Sequence, residues 1–341
     1  MKRTIILGGR GHFGRTLAEQ LRMRNVSPLV AARNGVADLQ LDADDHASLR
    51  RNLQADDLVL DAAGPYHRRS MALVDAAIEI GFDVIDLNDD LGYAEQMLVR
   101  VERIAAARIR VLTSASSVSA VSAAMVRQSG FLEPVSVLVW LAPASRFTAN
   151  RGTALSLIRS VGKPIRTWRD GVLQAERGWS QSRSFHMPPP LGKINGRLFE
   201  SADAIWLPRS WPSLRQVEMF VDTNTLGVNN LLRLAASSGS VRMLLVRIAG
   251  IAVWLSKRVG SSAGGLGFEI ADVGGKIARF AIHSGQNSYI TAVAPAVLAA
   301  SAILENRFPE VGLIPPERHC QPAELVEFLQ SAGIKVESVA G

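Results

Sequence analysis

Short apolar runs alternate with stretches of helical periodicity from the N-terminus to about residue 115. "TIILG" predicts a strand, "FGRTLAEQLRMR" a helix, and "SPLVAA" and "DLQLDA" two further strands. A helical "DHASLRRNL", a strand "DLVLDAAG", a helix through "SMALVDAAIEIG", a strand "DVIDL", a helix through "AEQMLVRVERIAAA" and a strand "IRVLTS" continue the series. Strands alternating with helices predict an α/β unit with a parallel sheet covered on both faces.

After Ser119 the rhythm changes. "PVSVLVWLAP", "PIRTWRDGV", "GRLFESA", "LRQVEMFVDT", "GLGFEIAD" and "GKIARFAIHS" read as strands of a second, partly antiparallel sheet, separated by breaks such as "MPPPLGKING". Helical pattern resumes at Thr291, with Pro295 tolerated in the first turn, and a last helix "PAELVEFLQSAG" ends at Gly333, a residue type suited to a C-cap. The pattern thus divides the chain into residues 1–118 joined by 291–341, and an α+β domain of residues 119–290.

A chain of 341 residues with 48% hydrophobic residues has enough apolar surface for the two cores this division needs. The net charge of +7 comes from 38 Lys+Arg against 31 Asp+Glu, but the cations are mostly Arg and form no long run, which argues against nucleic acid as a partner. The single cysteine, Cys320, excludes an internal disulfide and a cysteine metal cluster, and fits a reducing, cytoplasmic setting. The opening "MKRTIILGG" is too short in apolar residues to read as a signal peptide. "IAGIAVWL" and "ITAVAPAVLAASAIL" fall short of the roughly 18 residues that span a bilayer. Residues 241–258 predict a basic amphipathic helix. Leu244, Leu245, Ile248, Ile251, Ala252 and Leu255 lie on one side, and Arg242, Arg247, Lys257 and Arg258 lie near the ends. Burial against the second sheet or in a dimer contact is the preferred expectation for it, over a place in a membrane interface.

Gly9, Gly11 and Gly14 form G-x-G-x-x-G between the first strand and the first helix. In that context Gly9 is expected to make the tight turn, Gly11 to admit a pyrophosphate, and Gly14 to let helix and strand pack closely, with Arg10, His12 and Phe13 contributing the intervening backbone. At the end of the second strand, where an acid would meet a free ribose 2′-hydroxyl, the chain has Ala32, Arg33 and Asn34. Arg33 is suited to a 2′-phosphate, so the expected cofactor is NADP(H); the plainer alternative is a solvated surface arginine.

Ligands of open parallel sheets bind beyond the C-terminal strand ends. Those ends carry Ala63, Gly64, Pro65, Tyr66 and His67, then Asn88, Asp89 and Asp90, then Ser114, Ser116 and Ser117. Ala63, Gly64 and Pro65 are expected beside the nicotinamide ribose, and Tyr66 and His67 are the candidate proton donors. Equally open is that Tyr66 packs on the cofactor and His67 caps a helix. No tyrosine is followed by lysine at the fourth position, which disfavours the Tyr-Lys mechanism of short-chain dehydrogenases. The six histidines make no metal-binding pattern, so no metal is expected. His186 and Arg146 are candidates to reach substrate from the second domain, and Asp89 with Asp90 reads as a solvated turn.

"GGRGHFG", "DAAGPY", "GFDVIDLNDD" and "GLIPPE", followed by a last helix, resemble the saccharopine dehydrogenase-like oxidoreductases. "SASSVSAVS" stands where the amino-acid-metabolising members carry a Gly- and Pro-containing loop, and resembles a bacterial branch of unassigned substrate. The resemblance implies a Rossmann-type NAD(P)-binding domain closed by the returning C-terminal helix, and an α+β domain serving substrate binding and dimer contacts. The expected function is an NADP(H)-dependent oxidoreductase acting as a homodimer on a small C=N, C=O or C=C substrate that the sequence does not identify. The alternatives are an NADP(H)-binding sensor without turnover and a membrane-surface reductase of a lipid-linked substrate.

Overall fold

A computed structural model of the chain describes residues 2–149, 151–225 and 227–339; the side chains at 151–153, 155, 156, 237, 242, 248, 249, 251, 252 and 255 lie outside that description. The chain divides into two units, residues 1–124 with 291–325, and residues 125–290 with 326 onward. The strands are β1 (Thr4–Leu7), β2 (Leu29–Ala32), β3 (Leu39–Gln40), β4 (Leu58–Asp61), β5 (Asp83–Asp86), β6 (Arg110–Leu112), β7 (Pro134–Ala142), β8 (Pro164–Arg169), β9 (Val172–Arg177), β10 (Ser182–His186), β11 (Lys193–Phe199), β12 (Gln216–Val221), β13 (Gly264–Asp272), β14 (Ile277–Ser284), β15 (Gly312–Ile314) and β16 (Lys335–Ser338).

The first unit is a seven-stranded sheet in the order β15-β6-β5-β4-β1-β2-β3, with every pairing parallel. Its central strands TIIL, LVLD and DVID are buried at every position, as strands covered on both faces must be. Helix α1 (His12–Arg22) turns Leu17, Ala18 and Leu21 inward. Asp45 caps α2 (His46–Asn52) by accepting the Ala47 and Ser48 N–H groups, and α3 (Ala72–Ile80) ends at Gly81 with φ +93°. The long helix expected through "AEQMLVRVERIAAA" is two helices, α4 (Leu91–Leu98) and α5 (Val101–Ala106). At the break Arg100 leaves helical geometry and its guanidinium grips both carboxylate oxygens of Asp75. The chain runs outward from β1 to β3 and then crosses back to β4, so the strand order reverses between β1 and β4.

The second unit is a mixed sheet in the order β10-β11-β12-β7-β13-β14-β16, with β8 on β12 and β9 on β8. Among the described residues of this unit only β7 and β12 pair in parallel. "PIRTWRDGV", expected as one strand, is a hairpin instead: Asp170 and Gly171, both at positive φ, turn β8 into β9. Trp140, Phe185 and Phe220 form the aromatic centre of its core. The expected boundary also shifts at the C-terminus. Gly333 sits at φ +75° after the last helix (Pro322–Ser331), and β16 beyond it pairs antiparallel with β14, which takes the tail into the second unit.

Candidate active site

The C-terminal ends of β1, β2, β4, β5 and β6 gather the sequence-predicted residues of the first unit. At the end of β1 the left-handed residue is Gly8, at φ +67°, and not Gly9 as the motif suggested. A Cβ on Gly8 would lie 2.8 Å from Ala63 Cα and 2.9 Å from the Ala62 carbonyl, so the loop after β4 presses against this turn. Gly9 is needed for another reason: its Cβ would lie 2.7 Å from Val30 Cγ1 on β2. A Cβ on Gly14 would meet the Gly8 oxygen at 2.3 Å and Gly9 Cα at 2.6 Å, which is the close approach of helix to strand that was expected there. Gly11 differs, since its Cβ would meet only the Gly8 oxygen, at 3.1 Å. It is exposed, it is the N-cap of α1, and no side chain caps the helix. The opening of α1, with His12 and Phe13 in its first turn, therefore has first-turn N–H groups that no capping side chain takes up, beside an exposed Gly11 whose own N–H is bonded to the Gly8 carbonyl.

At the end of β2, Arg33 and Asn34 are exposed, and Arg10 reaches across from the glycine turn to donate from Nη1 to the Asn34 carbonyl at 3.0 Å. Arg15 Nη1 in turn donates to the Arg10 carbonyl at 2.9 Å. Asp38, between β2 and β3, accepts the Val30 N–H at 2.8 Å and is thereby tied to the backbone. The rim is cationic.

Beneath the "AAGPYH" turn after β4 lies a charge network that no sequence motif announces. Asp61, the last residue of β4, is fully buried, and its carboxylate accepts Arg69 Nη1 at 2.9 and 3.1 Å and the Ala63 N–H at 2.9 Å. Arg69 also donates to the Ala63 carbonyl at 2.7 Å and to Asp44 Oδ1 at 2.9 Å. Burial would lower the Arg69 pKa, but the Asp61 charge and the groups around it raise it above its ordinary value. Burial likewise acts to raise the Asp44 carboxyl, and hydrogen bonds from Ser70 with the Arg69 charge hold it below the usual carboxylate range. Gly64 is exposed, and its Cβ would meet nothing within 4 Å, so the face of this turn is open.

Tyr66 is not at that face. Its hydroxyl donates to the Asp61 carbonyl at 2.6 Å and accepts the Leu87 N–H at 3.0 Å, its ring packs edge-on to Tyr93, and burial pushes its pKa well above 10. Tyr66, one of the two candidate proton donors, thus braces the ends of β4 and β5. His67 remains half exposed beside it.

At the end of β5, the Oδ1 atom of buried Asp86 accepts three hydrogen bonds: from Thr113 Oγ1 at 2.9 Å, the Asn88 N–H at 3.0 Å and the Ser114 N–H at 2.8 Å. Its Oδ2 is buried with no hydrogen-bond partner, as is the Tyr93 hydroxyl. Burial pushes the Asp86 carboxyl up to about 7 against the pull of those hydrogen bonds. Asn88 Nδ2 joins Ser114 Oγ and the Asp90 carbonyl, while Asp90 Oδ1 accepts the Tyr93 N–H and caps α4. Ser114 and Ser119, both buried, hold positive φ angles of 60° and 74°, so the serine-rich loop is folded tightly onto Asp86. Ser116 Oγ turns to the Val118 carbonyl, and Ser117 is half-buried. Asp89 is exposed at the surface, but desolvation and the neighbouring Asp90 charge push its carboxyl up to about 6, which an ordinary solvated turn does not do.

His186 and Arg146 lie in the second unit, both exposed. Among the described residues no group of His, Cys, Asp and Glu is arranged to hold a metal, and no helix is long and apolar enough to cross a membrane.

The carboxylates ending β4 and β5 leave one trace in the sequence: in both "LVLD" and "DVID" an apolar buried strand stops on aspartate. Arg69 and Asp44 leave none, because their pairing is made by the fold.

Comparison with protein-family models gives no match, and comparison with curated proteins gives none. Among solved structures the chain is similar to apo saccharopine dehydrogenase (L-Glu forming) from Saccharomyces cerevisiae, at 15% identity over 100% of both chains with a TM-score of 0.64. GenD2 from gentamicin A biosynthesis, solved in complex with NAD, is more distant, at 12% identity over 100% of this chain and 97% of its own, with a TM-score of 0.40. The likeness to the yeast enzyme is one of fold: a Rossmann-type parallel sheet joined to a mixed-sheet unit.

Proposed function

We propose that the chain is an NADP(H)-dependent oxidoreductase that transfers hydride to or from a small C=N, C=O or C=C substrate, acting in the cytoplasm as a homodimer. The observation that carries the reading is the contrast among the four glycines: three are locked by neighbours at 2.3 to 2.9 Å, while Gly11, exposed at a helix start, would meet only one oxygen, at 3.1 Å. A cradle of that shape suits a pyrophosphate. The cofactor supplies or accepts the hydride when bound.

The chain's own part divides by strand end. The backbone of Gly8 to Gly14 would hold the pyrophosphate, and Arg10 and Arg33 at the cationic rim would meet a 2′-phosphate. Ala63, Gly64 and Pro65 would border the nicotinamide end, held in place by Asp61 and Arg69 from below. His67, half exposed next to that turn, is the residue we assign to proton transfer, since an imidazole can both donate and accept a proton.

The test is a titration of the purified chain with NADPH and NADH. Tighter NADPH binding, reduced about ten- to a hundredfold by Arg33→Ala with NADH affinity unchanged, is expected of a charge-assisted contact. Equal affinities would remove the NADP assignment, and binding of neither would remove the oxidoreductase reading. A panel of imine, carbonyl and enoyl compounds with NADPH then separates an enzyme from a sensor.

A further inference from the structure

The helix Gly239–Val259 meets its own unit through one side and leaves a different side uncovered. Leu245 is buried in a cluster with Ile158, Val161, Trp179 and Leu232, which fixes the inward face. On the helical period, Met243, Val246, Arg247, Gly250, Trp254, Lys257 and Arg258 fall on the opposite side, and all are exposed. Met243 is 64% exposed, Trp254 55% and Val246 47%, large values for apolar side chains. This outward face is not the one that the sequence pattern singled out. Of that set Leu245 is core and Leu244 is exposed at the margin, while Arg242, Ile248, Ile251, Ala252 and Leu255 lie outside the described side chains.

Two observations say what this face fits. No Asp or Glu lies between Asp222 and Glu269, whereas Arg233, Arg242, Arg247, Lys257 and Arg258 do. The cations and the apolar groups are also interleaved: the Arg258 guanidinium stacks 4.5 Å from the centre of the Trp254 ring, and Arg247 lies on the same side between Met243 and Trp254. Lys257 and Arg258 complement the helix dipole at the C-terminal end, but mid-helix Arg247 has no such reason to be there. An isologous contact between two copies would bring two acid-free faces together, which like charges oppose.

We propose that the outward face of the helix Gly239–Val259 docks on an anionic phospholipid surface, lying flat with Met243, Val246 and Trp254 in the headgroup boundary and the cations on lipid phosphates. An interfacial helix of this kind combines buried apolar area with attraction to anionic lipid, and long basic side chains reach the headgroups from beside an apolar line. The inference concerns the second unit and does not depend on the reading of the first.

The experiment is flotation of the full chain with vesicles of phosphatidylcholine alone and of an equimolar mixture of phosphatidylcholine and phosphatidylglycerol. Binding to the mixture alone, weakened by high salt, is expected. The triple variant Arg247→Gln, Lys257→Gln, Arg258→Gln should lower partitioning about a hundredfold, at the usual contribution of a cation near an anionic surface. The double variant Met243→Ser, Trp254→Ser, which keeps every charge, should lower it as well. All five side chains are exposed, so thermal unfolding of both variants should match the parent. As an independent reading, brominated phosphatidylcholine in the mixed vesicles should quench tryptophan emission by an amount that Trp254→Phe removes. Equal recovery with both vesicle types, no recovery with either, or variants that float like the parent would overturn the proposal. So would a dimer that Met243→Ser, Trp254→Ser dissociates in a chain that ignores vesicles, which would give this face to a second copy.

Discussion

Arg69 and Asp61 form a forked ion pair, 2.9 and 3.1 Å between nitrogen and the two oxygens, with Asp61 fully buried and the Arg69 side chain 5% exposed. The same carboxylate accepts the Ala63 N–H and the same guanidinium nitrogen donates to the Ala63 carbonyl, so the pair clamps the first residue of the open turn from both sides. Asp61→Asn keeps the shape but removes the charge, leaving a buried guanidinium with only Asp44 to balance it. Breaking a buried pair from one side costs about 3 to 5 kcal/mol. Urea unfolding should show a loss of that order, and a loss below about 1 kcal/mol would mean that Asp44 alone suffices.

The glycines separate fold from binding. Gly14→Ala places a Cβ 2.3 Å from the Gly8 oxygen and 2.6 Å from Gly9 Cα, both backbone atoms that cannot yield without moving β1 or α1. It should destabilise the chain by about 1 to 3 kcal/mol. Gly11→Ala meets one oxygen at 3.1 Å and should leave the unfolding midpoint nearly unchanged while weakening dinucleotide binding. Parallel unfolding and binding curves for the two variants check this, and a reversed order of effects would refute the assignment of the cradle.

How much of this was legible in the sequence depends on how local each cause is. The β1-turn-α1 unit and the parallel sheet were readable, because alternation, strand composition and glycine spacing act within a few residues. Which of Gly8 and Gly9 takes the left-handed turn was not, because the decision is made by Ala62 and Ala63 pressing in from the end of β4. Tyr66 was placed after a strand, but that its hydroxyl turns to backbone was not readable, since its partner Leu87 belongs to the next strand end. Strands β9 and β10, "VLQAER" and "SRSFH", escaped because they bury almost nothing and so carry no apolar alternation. The tail joined the wrong unit because the pairing of β16 with β14 is a contact that no local pattern announces.

Two buried groups of the first unit make opposite contributions to stability across acid pH. Asp86, raised to about 7 by burial, binds a proton in the folded state that the unfolded chain has already released, so its contribution is full below about 4 and is lost as pH rises through 7. His319, lowered to about 4 by burial while Nε2 lies 3.0 Å from the Ile314 carbonyl, contributes fully above about 6.5 and loses that contribution as pH falls through 4. Asp89, pushed up to about 6 by desolvation and the Asp90 charge, adds to the Asp86 trend in the same window, and a variant of Asp86 isolates that residue's share. Asp86→Asn keeps an oxygen for the three donors and should make stability rise more steeply with pH in that window. A profile parallel to the parent's would show that Asp86 does not change protonation on folding.

Tyr66 and His67 are neighbours in sequence with separable consequences. The Tyr66 hydroxyl bridges the Asp61 carbonyl and the Leu87 N–H, which also bond to each other at 3.1 Å, so Tyr66→Phe removes the bridge while each main-chain group keeps a partner. A lost hydrogen bond costs about 0.5 to 1.5 kcal/mol, and unfolding measurements should register a loss of that order. Because the hydroxyl faces backbone, turnover of NADPH with an accepted substrate should fall by less than about tenfold, through displacement of the turn alone. His67→Ala removes the group assigned to proton transfer and should lower turnover about 10²- to 10⁴-fold with unfolding and NADPH affinity close to the parent's. If Tyr66→Phe instead costs the larger factor in turnover and leaves stability intact, the brace is the donor after all and the assignment to His67 is wrong.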